Sequence, residues 1–200
     1  MVYHTTPKMA ERKERQRAHL LETSVKLFGK HGYHATTVPM IVQAADTSTG
    51  SFYFYFRNKE DVFAAALESF GGRIAAALSE AIDAAADKPD AKMRAAVERL
   101  VTFMAENPDE ARILIVETSG LGGRLQQIRR RIVDNHANAV AVALPLLNPR
   151  LKADIVARCW VGGVYEAVFH WLELPVARRA PVRRVAAAVA DFNLRGSGVK

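Results

Sequence analysis

An apolar seam between residues 63 and 82 constrains the fold more than any other feature of the sequence. Large apolar side chains recur there at intervals of 4, 3, 4, 4 and 4 residues: Phe63, Leu67, Phe70, Ile74, Leu78 and Ile82. This spacing indicates one face of an α-helix, because residues three and four apart share a helix face. We predict a helix from about residue 59 to 86, with Asn58 as its N-cap and Lys88-Pro89-Asp90 after its end.

Helical patterns also account for the rest of the chain. Before the seam we predict a helix over about residues 8–31, closed by Gly32, and short helices over 39–45 and 49–55. The β-branched stretch 112–117 has no period-two neighbour, which favours a buried helix over a strand. After the seam the predicted helices are one that ends at Asn107-Pro108 and those over about 109–120, 122–147, 150–174 and 182–194. The sequence therefore predicts an all-α fold of about nine helices.

The predicted helices differ in length between the two ends of the chain. Short helices fill the first 60 residues and long ones fill the remainder. We therefore predict a boundary near residue 60, with a first domain over residues 1–60 and a second over 61–200.

The first domain contains the signature of a helix-turn-helix. Thr37 and Pro39 mark one helix start, because a threonine N-cap and a proline in the first turn both favour initiation. Ser48 or Thr49 can cap a second short helix after a polar turn. Two short helices joined in this way, packed on a preceding helix, form a motif whose second helix enters the DNA major groove.

Five aromatic residues in a row, residues 52–56, fit this motif although their propensity favours a strand. On a helix, Phe52 and Phe56 share one face and are predicted to pack inward on Ile41, Ala45 and Phe28. The three rings between them spread over the other faces, where tyrosine hydroxyls can donate to phosphate oxygens. Lys59, just beyond, is also predicted to meet a phosphate.

The segment TTVPMIVQAADTSTGSFYFYFRNKEDVF, residues 36–63, resembles the helix-turn-helix of TetR-family transcriptional repressors. The preceding ETSVKLFGKHGYHATTV resembles the first helix of that family, so the resemblance covers about residues 12–67. The resemblance implies DNA contacts from residues at the start of the first short helix, in the second short helix and just after it. These residues are Thr37, Ser48, Thr49, Gly50, Ser51, Tyr53, Phe54, Tyr55 and Lys59.

The sequence departs from the family pattern at three places in this segment. Asp46 replaces the usual turn glycine, and aspartate can still adopt the left-handed conformation that the turn needs. Thr49 replaces a frequent basic residue, and Pro39-Met40 replaces a frequent charged pair. A proline and a methionine cannot make the bidentate contact by which arginine recognises guanine.

The basic residues of the first helix, between Lys8 and Arg17, allow two interpretations. They form either a solvated charged face or an N-terminal arm that approaches the DNA backbone.

Polar residues among apolar ones are the informative feature of the second domain. Each of them either points outward, pairs with an arginine or lines a ligand cavity, because a buried polar group needs a partner. The resemblance to the family implies a cavity for a small hydrophobic effector between the central helices, and the stretch 107–122 is similar to members that sense fatty acyl thioesters. We accordingly predict these ligand-binding residues: Phe70, Met104, Glu117, Leu121, Glu166 and His170.

The last two predicted helices carry apolar stripes with small residues, which indicate either a dimer interface or a simple core. The resemblance implies that these helices pair into a four-helix interface about a two-fold axis. The predicted homodimer residues are Val156, Trp160, Gly163, Val164, Val185, Ala188, Val189 and Phe192.

Composition and motifs narrow the remaining function classes. The net charge of +7 and pI of about 9.8 favour an anionic partner such as nucleic acid. The single cysteine, Cys159, is predicted to be packed and inert. No Ser/His/Asp or paired-carboxylate pattern indicates an enzyme, and neither a metal site at His31 and His34 nor a cofactor is expected. With no apolar stretch for a signal peptide or a membrane span, a cytoplasmic location is expected.

The resemblance to the TetR family implies a ligand-responsive repressor that binds a palindromic double-stranded DNA operator as a homodimer, and the patterns above agree with it. Two other classes stay open. One is an enzyme or carrier whose DNA-binding head is vestigial, and the other is an architectural DNA binder without sequence preference.

Overall fold

The computed structural model describes residues 7–118 and 120–199, and these residues fold into α-helices with short connections. This confirms the predicted all-α fold. The α-helices are α1 (Pro7–Ala35), α2 (Val38–Ala44), α3 (Thr49–Tyr55), α4 (Lys59–Ala84), α5 (Pro89–Glu106), α6 (Pro108–Arg112), α7 (Gly123–Leu147), α8 (Ala153–Glu173) and α9 (Val182–Gly196). A π-helical segment, Ile113–Glu117, follows α6, and a 3₁₀ turn, Val176–Arg178, precedes α9.

The first three helices begin and end where their local chemistry requires. Thr37 caps α2 by accepting a hydrogen bond from the Met40 amide at 3.4 Å. Ser48 caps α3 by accepting one from the Ser51 amide at 3.0 Å. Between them Asp46 adopts a φ of 46°, the left-handed conformation that the turn was predicted to need. Helix α1 continues past its predicted end to Ala35, with a kink at Gly32, whose φ of 81° suits glycine.

The core of this head, which we define as α1 to α3, is aromatic and tightly closed. Phe28, Phe52 and Phe56 are buried together with Ile41 and Ala45, which confirms the predicted inward face of the aromatic run. Phe28 also meets Phe63 of α4 edge to face, with ring centroids 4.9 Å apart. The first turns of α4 therefore complete the core of the head.

The remaining helices pack around α4 and α5. Helix α5 lies against α4 and α9, while α7 packs on α8 and touches α4. In the described part of the chain, α4 is the one helix long and apolar enough to cross a membrane by composition. Its seam residues Phe63, Leu67, Phe70 and Ile74 are buried inside the protein, so this packing accounts for its apolar character.

The π-helical segment and α6 dock against the C-terminal part of α1. The Glu117 carboxylate accepts a hydrogen bond from the Tyr33 amide at 2.9 Å, immediately after the kink at Gly32. The Asp109 side chain lies so close to Gly29 that an added Cβ there would meet its carboxylate oxygen at 2.6 Å. Burial raises the pKa of Asp109. The stretch 112–117, which was predicted to be a buried helix, is helical. Through Glu117 it connects α1 to the helices that follow.

Candidate functional site

The exposed face of α3 is the candidate nucleic-acid surface. Tyr53 and Phe54 are 54% and 64% exposed, which is unusual for large aromatic side chains, and Thr49 and Gly50 beside them are also exposed. Tyr55 is half-buried, and its hydroxyl donates to Gln16 Oε1 of α1 at 3.2 Å. The predicted α3 residues therefore share a surface, with the apolar side of the same helix anchored in the core.

The N-terminal half of α1 lies beside this surface. Gln16 also donates to Ser51 Oγ at 2.9 Å, so one side chain joins α1 to both ends of α3. The Lys13 ammonium lies 5.3 Å from the Phe54 ring centroid, and the Arg17 guanidinium lies 5.4 Å from that of Phe56. Positive charge is thereby concentrated next to the exposed aromatics, as a phosphate backbone requires.

The two capping hydroxyls keep a hydrogen to donate. Thr37 Oγ1 and Ser48 Oγ each accept from a backbone amide, and a hydroxyl that accepts still carries its own O–H. Both residues are exposed at the start of a short helix. Each could therefore cap its helix and donate to a phosphate at the same time.

Lys59 does not take the role predicted for it. Its ammonium has three N–H donors. It donates to the carbonyl oxygens of Tyr33 at 2.7 Å, His34 at 3.3 Å and Thr36 at 2.8 Å. Because every donor is engaged at the end of α1, none is left for a phosphate, and burial lowers the pKa of Lys59. The expectation of a DNA contact is corrected: Lys59 fastens the start of α4 to the end of α1.

A second fastening at the start of α4 involves Asp61. Its carboxylate accepts hydrogen bonds from the guanidinium of Arg57, just after α3, and from Arg124 Nη1 in the first turn of α7 at 2.8 Å. These two arginines hold the pKa of Asp61 far below its usual range. One carboxylate thus connects Arg57, just after α3, to the first turn of α7.

A cavity of about 690 Å³ opens between α4, α5, α7 and α8. We call it the central cavity. Its wall is mostly apolar, and the size is typical of small-molecule sites. Helices α4 and α7 approach closely at one edge, where a Cβ added to Gly71 would lie 2.9 Å from Ile132 Cδ1. Wall residues include Leu78, Ile82, Val97, Leu100, Ile132 and Val161.

Most polar groups of the central cavity lie at its rim. Glu68 and Arg131 are exposed and pair with each other at 3.5 Å, and Lys92 donates to Asp87 at 2.6 Å. His136 is different, because it is buried and its Nδ1 lies 3.2 Å from the Tyr165 hydroxyl. Burial lowers the pKa of His136 to about 4 and raises that of Tyr165.

None of the six residues predicted to bind a ligand lines this cavity, and that prediction is corrected. Phe70 and Met104 are buried in the core, and Leu121 is buried outside the cavity wall. The Glu117 carboxylate accepts a hydrogen bond from the Tyr33 amide of α1. Glu166 and His170 are exposed on α8, so of the alternatives given for these polar residues they follow the one in which the side chain points outward. Sequence reasoning missed His136, although it continues the stripe of Ile128 and Ile132 at four-residue spacing. A polar residue on an apolar stripe was the available signal.

The eight residues predicted for the dimer interface lie in different environments. Trp160 and Val164 are buried within the subunit, where the Trp160 indole donates to Ser197 Oγ at 3.0 Å. Both line the central cavity, so their assignment to a surface is corrected. Val156 is half-buried. The other five border a shallow apolar groove between α8 and α9: Gly163, Val185, Ala188, Val189 and Phe192.

Ile155 and Cys159 precede Gly163 at four-residue intervals, so they lie on the same face of α8 as the groove. Ile155 is 54% exposed, and Phe192 of α9 is 75% exposed. Cys159 is also exposed, so the expectation that it is packed is wrong. On a helix its neighbours in sequence, Arg158 and Trp160, point about 100° away, and only Trp160 faces the core.

The sequence was compared with known proteins. Residues 20–66 match the family model described as "Bacterial regulatory proteins, tetR family". A Bacillus subtilis protein named as an uncharacterized HTH-type transcriptional regulator, YdgC, is 30% identical over 153 residues, which are 73% of this chain and 75% of that relative. The chain belongs to the TetR family. Alignments with four other curated bacterial regulators span only 21% to 27% of those relatives' length.

Solved structures with less than 25% identity share the fold of this TetR-family member. The fatty acid degradation regulator FadR from Bacillus halodurans superposes with a TM-score of 0.81 at 20% identity, over 90% of this chain and 95% of that one. FadR from Bacillus subtilis, solved with stearoyl-CoA, gives 0.77 at 20% identity over 90% and 98%. AibR, solved with isovaleryl coenzyme A and operator DNA, gives 0.76 at 16% identity over 88% and 97%.

Family membership confirms that the protein is a transcriptional regulator and not an enzyme. It also accounts for the helix-turn-helix and the all-helical remainder as parts of one architecture.

Proposed function

We propose that this TetR-family protein is a cytoplasmic, ligand-responsive repressor. A homodimer would bind a palindromic operator, and a small hydrophobic effector would release it. The observation that carries the proposal is the continuous connection from the central cavity to the DNA-facing head: α4 and α7 both line the cavity, and Asp61 and Arg124 of the same two helices pair near Arg57. We divide the chain functionally at residue 60, with DNA binding before it and effector binding and dimerisation after it.

The DNA contacts would come from the residues that share the exposed surface of α3 and the two caps. The aromatic rings and hydroxyls would meet the backbone, and the first turn of α3 would meet base edges in the major groove. Neighbouring positive charge on α1 supports this orientation. The proposed set is Thr37, Ser48, Thr49, Gly50, Ser51, Tyr53, Phe54 and Tyr55.

The homodimer would form through the groove between α8 and α9. An exposed phenylalanine beside small residues is a surface that another apolar surface covers favourably. A two-fold axis there would present the two α3 helices to successive major grooves, about one helical turn of DNA apart.

Release would follow from a change at α4. An effector in the central cavity would press α4 and α7 apart from their close contact at Gly71 and Ile132. Because Lys59 and Asp61 fasten α4 to the head, its displacement would change the distance between the two α3 helices of the dimer. Acyl-CoA complexes of two proteins with this fold support an acyl compound as the effector.

The test is operator binding by the purified protein at near-physiological salt. DNA from upstream of its own gene is compared with the same DNA scrambled, and we expect at least about a thousandfold preference. Tyr53→Ala should weaken specific binding by on the order of tenfold, since it removes a hydrogen bond to a charged phosphate. Decanoyl-CoA, used as the effector probe, should weaken binding by the wild type.

Val176→Ala is the matched control. It shortens an apolar side chain that is even more exposed than Tyr53, 78% exposed in the turn before α9, and should leave DNA binding unchanged. Equal weak binding to every DNA, selected sequences included, would overturn the proposal and favour a binder without sequence preference.

Phe192→Glu should convert a dimer into monomers in sedimentation and abolish tight operator binding.

A further inference from the structure

The wall of the central cavity includes a buried side chain, His136, with a ring nitrogen for which the described residues supply no hydrogen-bond partner. Among the titratable wall residues in the described part of the chain, His136 is the one that is buried. The others, Glu68, Lys92 and Arg131, lie at the rim and have ionic partners. The indole N–H of Trp160 is already donated to Ser197. The chemistry of the inner cavity therefore depends on His136.

The hydrogen bond with Tyr165 determines which nitrogen of His136 carries the proton. Tyr165 is buried, and its hydroxyl has Nδ1 as its partner among the described residues. If Nδ1 donated, the hydroxyl hydrogen would be left buried without an acceptor, which costs more than leaving a lone pair unused. The hydroxyl therefore donates to Nδ1, and the neutral ring carries its hydrogen on Nε2.

The Nε2–H group has no acceptor among the residues that the structure describes. It belongs to a side chain that lines the central cavity. A second protonation of the ring is disfavoured, because burial lowers the pKa of His136 to about 4. His136 is thus the one buried side chain of the wall that offers a neutral donor without a protein acceptor among the described residues, while Ser79 and Asn135, the other neutral donors of the lining, are exposed.

We infer that His136 selects an effector with a neutral carbonyl oxygen on an apolar chain, such as an acyl ester or thioester, by donating Nε2–H to that oxygen. The inference rests on the proposed function, because it concerns the same cavity. A hydrocarbon would leave the donor unpaired, whereas a cation would meet a neutral donor and no acceptor. Esters and thioesters both contain this carbonyl oxygen, and the probes described below distinguish the two.

Trp160 provides the signal for the experiment, because it lines the central cavity. Trp171 is the other of the two tryptophans, and it lies outside the cavity wall. In a Trp171→Phe background, quenching of Trp160 fluorescence therefore reports cavity binding. The probes are methyl decanoate, S-methyl thiodecanoate and dodecane, which have chains of equal length and differ in the carbonyl group.

We expect the parent to bind the ester or the thioester about five- to tenfold more tightly than dodecane, the effect of one neutral hydrogen bond. The tighter of the two carbonyl probes identifies the class of effector. His136→Phe, which keeps an aromatic ring and removes the donor, should reduce the ratio to about one. His136→Gln retains an amide donor and should preserve part of the preference. His136→Leu is a second apolar variant if the phenylalanine fails to fold.

Three results would overturn the inference. Equal affinity of the parent for dodecane and both carbonyl probes would reject selection while leaving effector binding intact. An unchanged ratio in His136→Phe and His136→Leu would show that another group makes the contact. No quenching by any probe would reject the cavity as an effector site, and with it the release mechanism of the proposed function.

Discussion

The short helices of the head and the C-terminal helices, α5 to α9, differ in how their N-terminal ends are stabilised. Helices α2 and α3 of the head, and α4, whose first turns complete the core of the head, each begin with a side chain that caps them: Thr37, Ser48 and Asn58. Helices α5 to α9 begin without any side-chain cap in the described structure. The 7-residue helices α2 and α3 are too short to persist on propensity alone and need their caps, whereas the long helices α5, α7, α8 and α9 are stabilised mainly by packing. The 5-residue α6 also has no side-chain cap, and it continues directly into the π-helical segment.

The two regions also differ in how completely they are packed. The head closes around Phe28, Phe52 and Phe56, all essentially inaccessible to solvent. The C-terminal helices enclose the central cavity of about 690 Å³. The closed aromatic core fixes α3 against α1 and α2, while the cavity leaves space between the helices that line it. Under the proposed function, the rigid region is the one that binds DNA and the adaptable region is the one that binds the effector.

The largest expected effect contrasts the two interiors with the same substitution. Leu20→Ala in the head should lower the free energy of unfolding by about 4 kcal/mol, because it opens a void in a closed core. Leu100→Ala should cost only about 2 kcal/mol, because Leu100 borders the cavity and loses fewer packing contacts. Urea unfolding of both variants measures the difference. Equal costs would show that the two interiors are packed alike.

The next effect concerns pH and His136. The unfolded chain protonates this histidine near pH 6.5, whereas the folded protein does so only near 4. Between these values the unfolded state binds more protons, so the free energy of unfolding falls as the pH decreases. By about pH 4.5 the loss from this residue should reach roughly 2 to 3 kcal/mol.

The control for this prediction is His136→Phe, which cannot titrate. Other groups change protonation in the same window in both proteins, so the quantity to compare is the difference between their urea unfolding curves. The variant should lose less stability than the wild type from pH 7 to about 4.5. Parallel losses would mean that the folded protein accommodates a charged His136.

The smallest effects test the caps. Ser48→Ala should destabilise by about 1 kcal/mol, because the Ser51 amide loses its acceptor. Lys88→Ser should do the reverse and stabilise by a few tenths of a kcal/mol or more, since Lys88 precedes α5 in an extended conformation without a capping side chain. Thermal unfolding with the wild type as reference measures both. A gain from Lys88→Ser as large as the loss from Ser48→Ala would indicate that α5 depends on its cap as much as α3 does.

Local sequence signals predicted the elements of the head closely. The short helix at 49–55 was placed at its observed bounds, its cap was among the two hydroxyls named, and Asp46 has the expected left-handed conformation. Each of these features depends on residues a few positions apart, so the sequence contains the whole interaction. The inward and outward rings of the aromatic run follow in the same way from helical geometry.

Long-range placement could not be obtained from such signals. Trp160 and Val164 belong to an apolar stripe that fits a core, a cavity or a dimer interface equally well, and the packing of α7 and α9 turned them inward. Lys59 follows α3 closely in sequence, yet its nearest acceptors are carbonyls more than 20 residues earlier at the end of α1. Glu117 finds its partner 84 residues away.

The sequence by itself determined the helices, their caps, the helix-turn-helix and the family, because periodicity, capping and motif spacing are local properties of the chain. Only the tertiary structure decided that His136 faces a cavity, that Lys59 and Asp61 fasten α4 to the head, and which apolar residues remain exposed on α8 and α9. The physical reason is that a polar group's partner, and the void beside an apolar one, depend on how distant helices cross.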